Sequence, residues 1–160
     1  MKRGSIFFLR GVLVLLGIGV LAGLLRAPLS EGRNLNADLA TVYFRDPFLA
    51  YVYVGSLPFF FGLYQAFNLL GAVGRGRAFS PEAGTALRTI KYCALAVIGF
   101  IVGAVVFIVR THAADDDPAG FIAISIVLSF ACLVVAAAAA VLERVAQSAA
   151  DLQSEHDLTV

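Results

Sequence analysis

The chain contains no tryptophan, only two cysteines and few charged side chains. The shortage of cysteine and the shortage of charge each exclude a class of protein. Cys93 and Cys132 lie inside apolar runs, without CxxC spacing or a nearby histidine. We therefore interpret them as small buried side chains rather than as a disulfide, a redox pair or a metal site. Charged residues make up 14% of the chain and the net charge is +1, and no basic tract is large enough to bind nucleic acid directly.

The residue patterns that support catalysis are scarce as well. His112 followed by Asp115–Asp117 is typical of a solvated turn, because three consecutive aspartates seldom provide the geometry of a metal site. Gly74 and Gly76 do not complete a phosphate-binding loop, and no strand precedes them. No nucleophile stands in a pattern with a general base. We therefore expect no cofactor, no metal and no enzyme activity.

Hydrophobic residues, in contrast, make up 60% of the 160 residues, which is far above the usual share in soluble proteins. The apolar runs are long and do not alternate with polar residues, which favours transmembrane helices over barrel strands. The fold class that we predict is an all-α membrane protein, one domain of four transmembrane helices in a single bundle. The predicted spans are residues 6–25, 48–73, 90–109 and 121–142, with the third helix starting near residue 81 and a tail of residues 143–160.

A cleaved secretory signal peptide is the alternative interpretation of the first run, which follows two basic residues. Arg10 interrupts this run, and no good small-residue cleavage site precedes Pro28. We expect the run to remain in the protein as its first span.

Positive charge along the chain predicts the orientation, because cytoplasmic loops carry an excess of lysine and arginine. With both termini inside, the cytoplasmic side collects Lys2, Arg3, Arg10, Arg75, Arg77, Arg88, Lys91 and Arg144. Only four of the twelve basic residues remain outside. The connector of residues 26–47 then faces outward, either as an ordered loop that caps the helices or as a binding surface.

The polar stretch of residues 74–92 contains the clearest helix signals. Gly74 and Gly76 end the second helix, and Ser80 followed by Pro81 and Glu82 is typical of a helix start. The third helix is therefore predicted to begin in water and to continue into the membrane.

Four polar residues within or beside the predicted spans are candidates for intramembrane contacts. Arg10 either extends to the headgroups or pairs with Glu143, which the topology places at the same depth on the fourth helix. Gln65 and Asn68, three residues apart, either make hydrogen bonds between helices or line a pore together with serines of the fourth span.

Two pairs of glycines have the spacing that lets membrane helices approach closely, at 19 and 23 and at 99 and 103. We expect them to pack inside one bundle, and the alternative is self-association of the protein into a homo-oligomer.

Two stretches together resemble the YoaS-like family of small bacterial four-span membrane proteins, a family of unknown function. GRGRAFSPEAGTALRTIKYCAL follows the second span, and AADLQSEHDLTV ends the chain, where His156 replaces the usual asparagine. The region PFFFGLYQ also fits the family, and the resemblance covers essentially the whole chain.

The resemblance implies a protein of the bacterial inner membrane that acts as the membrane partner of a small helix-turn-helix regulator. On that interpretation the matched residues build a cytoplasmic docking surface. They are Phe79, Ser80, Pro81, Glu82, Leu87, Arg88, Asp157, Leu158, Thr159 and Val160. A small channel or transporter component and a purely structural membrane protein are the alternatives.

Overall fold

The fold is described here from a computed structural model, which describes residues 3–30, 47–112 and 118–158. Four α-helices account for nearly all of these residues. They are α1 (Arg3–Ser30), α2 (Pro47–Gly74), α3 (Pro81–His112) and α4 (Ala119–Leu158). Each helix contains a stretch long and apolar enough to cross a bilayer, which confirms the predicted all-helical protein with four candidate spans.

Two of the helices are much longer than the apolar runs that predicted them. α3 has 32 residues and α4 has 40, so α4 is about 60 Å long at the usual rise per residue. The hydrocarbon core of a bilayer is only about 30 Å thick. The first turns of α3 and the last turns of α4 therefore extend beyond the apolar segment, and they do so at the same end of the molecule because the two helices are antiparallel.

A compact turn joins α2 to α3. Gly76 has a φ of 75°, a left-handed conformation that glycine adopts without strain. The amide of Gly76 donates to the carbonyl of Val73 at 3.0 Å, and the amide of Arg77 donates to the carbonyl of Ala72 at 3.0 Å. This pair of bonds is a Schellman motif, which satisfies the last carbonyls of α2 and reverses the chain direction.

Ser80 caps the start of α3, as the Ser-Pro-Glu pattern predicts. Its Oγ accepts a hydrogen bond from the amide of Ala83 at 3.3 Å, and its carbonyl accepts from the amide of Gly84 at 3.2 Å. Pro81 takes the first helical position, where no amide hydrogen is needed. The two helices are thus held in antiparallel register by a short segment with defined ends.

The helices pack in chain order. Extensive interfaces join α1 to α2, α2 to α3 and α3 to α4, and the interface of α3 with α4 is the largest of the three. Within the described ranges, α1 and α4 share no interface of comparable extent. The described helices therefore pack as a row in chain order, a detail that the prediction of one four-helix bundle did not include.

Small side chains line the interface between α3 and α4. The buried residues of α4 include Ala136, Ala139, Glu143 and Ala146, whose spacing of three and four places them on one face of the helix. Among the described helices, α4 has an extensive interface with α3 alone, so this face lies against α3. Alanine at these positions lets the two helices approach closely.

Glycines of α2 accept side chains from α3. A Cβ atom built on Gly55 would lie 3.0 Å from the Phe100 ring, and one built on Gly62 would lie 3.2 Å from Cβ of Cys93. At the end of the same interface, the Tyr51 hydroxyl donates to the carbonyl of Phe100 at 2.9 Å. α2 and α3 therefore approach each other closely at positions where α2 has a glycine.

The glycine pairs singled out in the sequence follow the prediction only in part. Gly19, Gly23 and Gly99 have no neighbouring atom within 4 Å of the Cβ position that each lacks. Gly103 is contacted by the Tyr51 hydroxyl of α2. Among the described residues, the expected packing inside the bundle is therefore seen for Gly103 but not for Gly19, Gly23 or Gly99.

Candidate functional site

A three-residue ionic cluster, formed by Arg88, Lys91 and Glu143, joins α3 to α4 near their polar ends. Arg88 Nε donates to Glu143 Oε1 at 2.8 Å, and Lys91 Nζ donates to Glu143 Oε2 at 2.8 Å. The two cations are three residues apart on α3, so they lie on the same side of the helix. Each carboxylate oxygen of Glu143 therefore has its own cationic donor.

Burial makes the cluster a structural constraint as well as an ion pair. The side chain of Glu143 is only 8% exposed, whereas that of Arg88 is 58% exposed and that of Lys91 is 24% exposed. A carboxylate removed from water needs charge-assisted hydrogen bonds to offset its lost hydration. Lys91 Nζ also lies 5.1 Å from the centre of the Tyr92 ring. The cluster fixes the register of α3 against α4.

Arg10 does not belong to this cluster, so the structure does not contain the Arg10–Glu143 pair, which was one of the two alternatives for Arg10. The guanidinium carbon of Arg10 lies 4.6 Å from the centre of the Phe67 ring on α2. The physical reason is the packing order, because α1 lies against α2 while Glu143 faces α3. Arg10 Nε is buried and has no hydrogen-bond partner within the part of the chain that the structure describes.

The residues predicted to form a docking surface separate into structural and exposed groups. Ser80 caps α3, and Arg88 pairs with Glu143. Leu87 is only 5% exposed, so it is part of the core and is not available to a partner. Phe79, at 53% exposure, is accessible at the surface, as are Pro81 and Glu82.

The rest of that predicted surface lies at the end of the chain. Asp157 and Leu158 are in the last turn of α4, but their side chains are outside the described residues. Thr159 and Val160 also lie outside the described residues.

Glu82, at the start of α3, makes a surface ion pair. Its Oε2 is 3.8 Å from Nη1 of Arg77 in the preceding turn.

Sequence reasoning missed the apolar residues that α4 exposes beyond Glu143 as part of the candidate site. Val145 is exposed and Leu152 is 69% exposed, and they are seven residues apart on one side of the helix. This side is turned away from the face that carries Glu143 and Ala146, which lies against α3. The signal was the helical spacing of Leu142, Val145, Ala149 and Leu152, which is visible in the sequence.

Comparisons with known proteins agree with this picture of a membrane protein. A family model described as "Protein of unknown function (DUF2975)" matches residues 40–160. A curated relative, the "Uncharacterized membrane protein YoaS" of Bacillus subtilis (strain 168), is 41% identical over 163 residues, with all of both chains covered. The chain belongs to the DUF2975 family. No solved structure matches it.

The predicted resemblance to YoaS is therefore confirmed, and this DUF2975 protein is an integral membrane protein. The family model begins shortly before α2 and includes the turn before α3 and the end of α4. It therefore contains both ionic partners of α3 and their carboxylate on α4.

The intramembrane polar residues of this DUF2975 protein do not lie along one path. Gln65 is half-buried and Asn68 is exposed, and neither makes a hydrogen bond to another of the described residues. Both are near the polar end of α2. Gly62 of α2 contacts Cys93 of α3, and the two helices are antiparallel, so Gln65 lies level with the start of the apolar part of α3. Ser125 is buried on α4, about 27 Å along the helix from Glu143.

An apolar groove with a volume of about 820 Å³ runs between α2 and α3. Its lining is mainly hydrophobic and aromatic, and includes Leu57, Phe60, Phe61, Tyr64, Tyr92 and Cys93. The groove is suited to a hydrocarbon chain rather than to an ion or a polar solute. Gln65 and Asn68 are not among its lining residues.

Proposed function

We propose that this DUF2975 protein acts by binding a soluble protein partner at its polar end, the end of the molecule where α2 ends and α3 begins. The partner surface at this end is formed by Phe79, Pro81 and Glu82 and by the part of α4 after Glu143. The partner binds without any chemical reaction, so the protein is not an enzyme. The proposal places the protein in the bacterial inner membrane as a multi-pass protein with both termini in the cytoplasm.

The observation that carries the proposal is the exposed apolar face of α4 beyond the ionic cluster. α4 continues for fifteen residues after Glu143, a length of about 22 Å. Leu152 lies nine residues beyond the cluster and is 69% exposed. Val145 is exposed on the same side of the helix as Leu152, so the two form an apolar strip of the kind that a partner can cover.

The register of α3 against α4 brings the second part of the surface to the same level. Pro81 precedes Arg88 by seven residues, and Ala150 follows Glu143 by seven residues, so the two lie level in this antiparallel pair. Phe79 is therefore close to the same height as Leu152. Two separated sequence motifs thus supply apolar anchors to one end of the molecule.

Charge favours a partner with a basic surface. Asp151 and Glu155 are exposed on the last turns of α4, and Asp157 adds a third acidic residue to this segment. An apolar anchor at Leu152 with acidic side chains at 151 and 155 complements a partner that has an apolar patch beside basic residues. A small helix-turn-helix regulator, the partner that the family resemblance implies, has this chemistry because its DNA-binding surface is basic.

The distribution of positive charge supports the cytoplasmic orientation. The polar end carries Arg75, Arg77, Arg88, Lys91 and Arg144, and the same end contains the start of α1. An excess of basic residues of this kind is typical of the cytoplasmic side. A reporter domain fused after Val160 should therefore be active in the cytoplasm, and a periplasmic reporter would contradict the orientation.

Photo-crosslinking in native membranes tests the partner directly. A photoreactive residue at position 152 should give a discrete crosslinked product, to be identified by mass spectrometry and confirmed with the purified partner. Leu152→Ala and a chain lacking residues 154–160 should lose binding of that purified partner.

Leu128→Ala is the matched control, because Leu128 is an exposed leucine of α4 within the apolar segment. It should bind the partner as the native protein does. Equal binding by the native protein, Leu152→Ala and the truncated chain would overturn the proposal.

A further inference from the structure

Two arginines from different helices converge on one point at the polar end of α2. A Cβ atom built on Gly71 would lie 2.5 Å from Nη2 of Arg10 and 3.9 Å from Nη1 of Arg75. Arg10 comes from α1, and Arg75 follows the last residue of α2. The missing side chain of Gly71 therefore leaves room for the Arg10 guanidinium group, and the Arg75 guanidinium group lies on the same spot of α2.

Neither arginine has a carboxylate partner among the residues that the structure describes. The ion pairs in those ranges use Arg77 with Glu82, and Arg88 and Lys91 with Glu143. Arg10 rests on the Phe67 ring, and its Nε is buried without a hydrogen-bond acceptor. Two like charges that are held together, one with an unsatisfied buried donor, form a site that an anion would stabilise.

We propose that Arg10 and Arg75 bind the phosphate group of an anionic phospholipid, and that one acyl chain of this lipid lies in the groove between α2 and α3. Guanidinium groups match phosphate in geometry, because each presents several N–H donors in one plane. Basic pockets between transmembrane helices are known sites for lipid headgroups.

The groove lies on the same side of α2 as Gly71, beside which Arg10 and Arg75 lie. Gly71, Asn68, Tyr64, Phe61 and Leu57 are separated by three, four, three and four residues, so they follow one stripe along the helix. The last three of these residues line the groove. The stripe thus runs from the cationic groups beside Gly71 through a polar side chain into an apolar groove.

This order of chemistry matches a phospholipid. Gly71 and Tyr64 are separated by about 10 Å along the helix, which leaves room for the glycerol backbone between the phosphate and the acyl chain. A free phosphate ion would use the arginines alone and would gain nothing from the groove. The groove therefore favours the lipid as the source of the phosphate.

The inference is independent of the proposed function, because the lipid site uses α1, α2 and the groove, whereas partner binding uses the turn and the end of α4. Native mass spectrometry of the purified full chain tests it. The protein is delipidated in a neutral detergent, titrated with phosphatidylglycerol or with phosphatidylcholine, and the bound fraction is measured.

Phosphatidylglycerol should bind as a single molecule and more tightly than phosphatidylcholine. Arg75→Gln should weaken its binding about five- to tenfold, which is the effect expected when one arginine contact to phosphate is lost. Arg10→Gln should do the same. Arg75→Gln is the safer variant, because Arg75 is exposed and its loss leaves the helix interfaces intact.

Arg77→Gln is the matched control, since Arg77 is an exposed arginine of the same turn that contacts Glu82 instead. It should change the affinity by less than about twofold, within the range of a surface charge effect. If Arg77→Gln weakens binding as much as Arg75→Gln, the effect is general surface charge and the site is overturned.

Two further measurements separate the lipid from free phosphate. Inorganic phosphate at millimolar concentration should not displace phosphatidylglycerol, and Phe61→Ser should weaken lipid binding because it places a hydroxyl in the groove. Displacement by inorganic phosphate together with unchanged binding by Phe61→Ser would overturn the assignment of the site to a lipid.

Discussion

Glu143 of α4 accepts a hydrogen bond from Nε of Arg88 on α3 at 2.8 Å, across 55 residues of chain. Its second oxygen accepts from Lys91 at the same distance. The cluster lies where the apolar part of α4 ends, so it couples the position of the membrane-length segments to the position of the polar end. The proposed partner surface and the apolar segments of α3 and α4 are thereby held as one unit.

Loss of the carboxylate should be more harmful than loss of either cation. Glu143→Gln removes the charge that Arg88 and Lys91 share and leaves two neighbouring cations. Arg88→Gln leaves Glu143 paired with Lys91, and Arg88 itself is more than half exposed. The melting temperature in detergent should therefore fall most for Glu143→Gln and least for Arg88→Gln.

Charge exchange gives a second check on the same cluster. Arg10→Glu combined with Glu143→Arg should not recover the stability that either change removes, because the two residues pack against different helices. Recovery in this double variant would mean that Arg10 and Glu143 pair in the membrane.

Leu87→Ala should destabilise the protein by about 2–5 kcal/mol, the usual cost of truncating a buried leucine. Leu87 is 5% exposed, whereas Leu152 is 69% exposed. Leu152→Ala is therefore the control and should change the free energy of unfolding by less than about 0.5 kcal/mol. Chemical unfolding in mixed micelles measures both, and equal effects would contradict the burial of Leu87.

Sequence patterns predicted the ends of the helices better than their contacts. Ser80, Pro81 and Gly76 act locally, through hydrogen bonds and backbone conformation within a few residues, so their roles could be predicted without knowledge of the packing. The four spans could be predicted for a similar reason, because length and apolar content are properties of each segment alone.

The faces of the helices could not be predicted in this way. A helix in lipid is apolar on nearly every side, so its sequence carries little information on which side meets a neighbour. The glycine pair at 19 and 23 looks like an interface and is open, whereas Gly62 contacts Cys93 although no second glycine lies four residues away. Arg10 was a candidate partner for Glu143 because depth in the membrane is predictable, whereas the order of helix packing, which gives Glu143 to Arg88 and Lys91, is not.

The Ser80 cap should contribute about 1 kcal/mol, the typical cost of replacing a capping serine with alanine. Ser80→Ala removes the acceptor for the Ala83 amide, and Ser80→Asp restores one. Thermal unfolding should therefore show a lower midpoint for Ser80→Ala and a midpoint near the native value for Ser80→Asp. If aspartate fails to restore the midpoint, the hydroxyl of Ser80 has a role other than capping.

The contact of Tyr51 with Gly103 and Phe100 permits a double-mutant cycle inside the membrane. Tyr51→Phe removes the hydrogen bond to the Phe100 carbonyl and should cost about 0.6 kcal/mol, the average for such bonds between membrane helices. Gly103→Ala should cost about 1–3 kcal/mol, because its Cβ would meet the Tyr51 hydroxyl. In the Tyr51→Phe background the same glycine change should cost less, since the hydroxyl that obstructs the methyl group is gone.

Gly99→Ala is the control, because no atom lies within 4 Å of its Cβ position, and it should be neutral or slightly stabilising. Strictly additive effects of Tyr51→Phe and Gly103→Ala would show that the two residues do not meet in the bilayer.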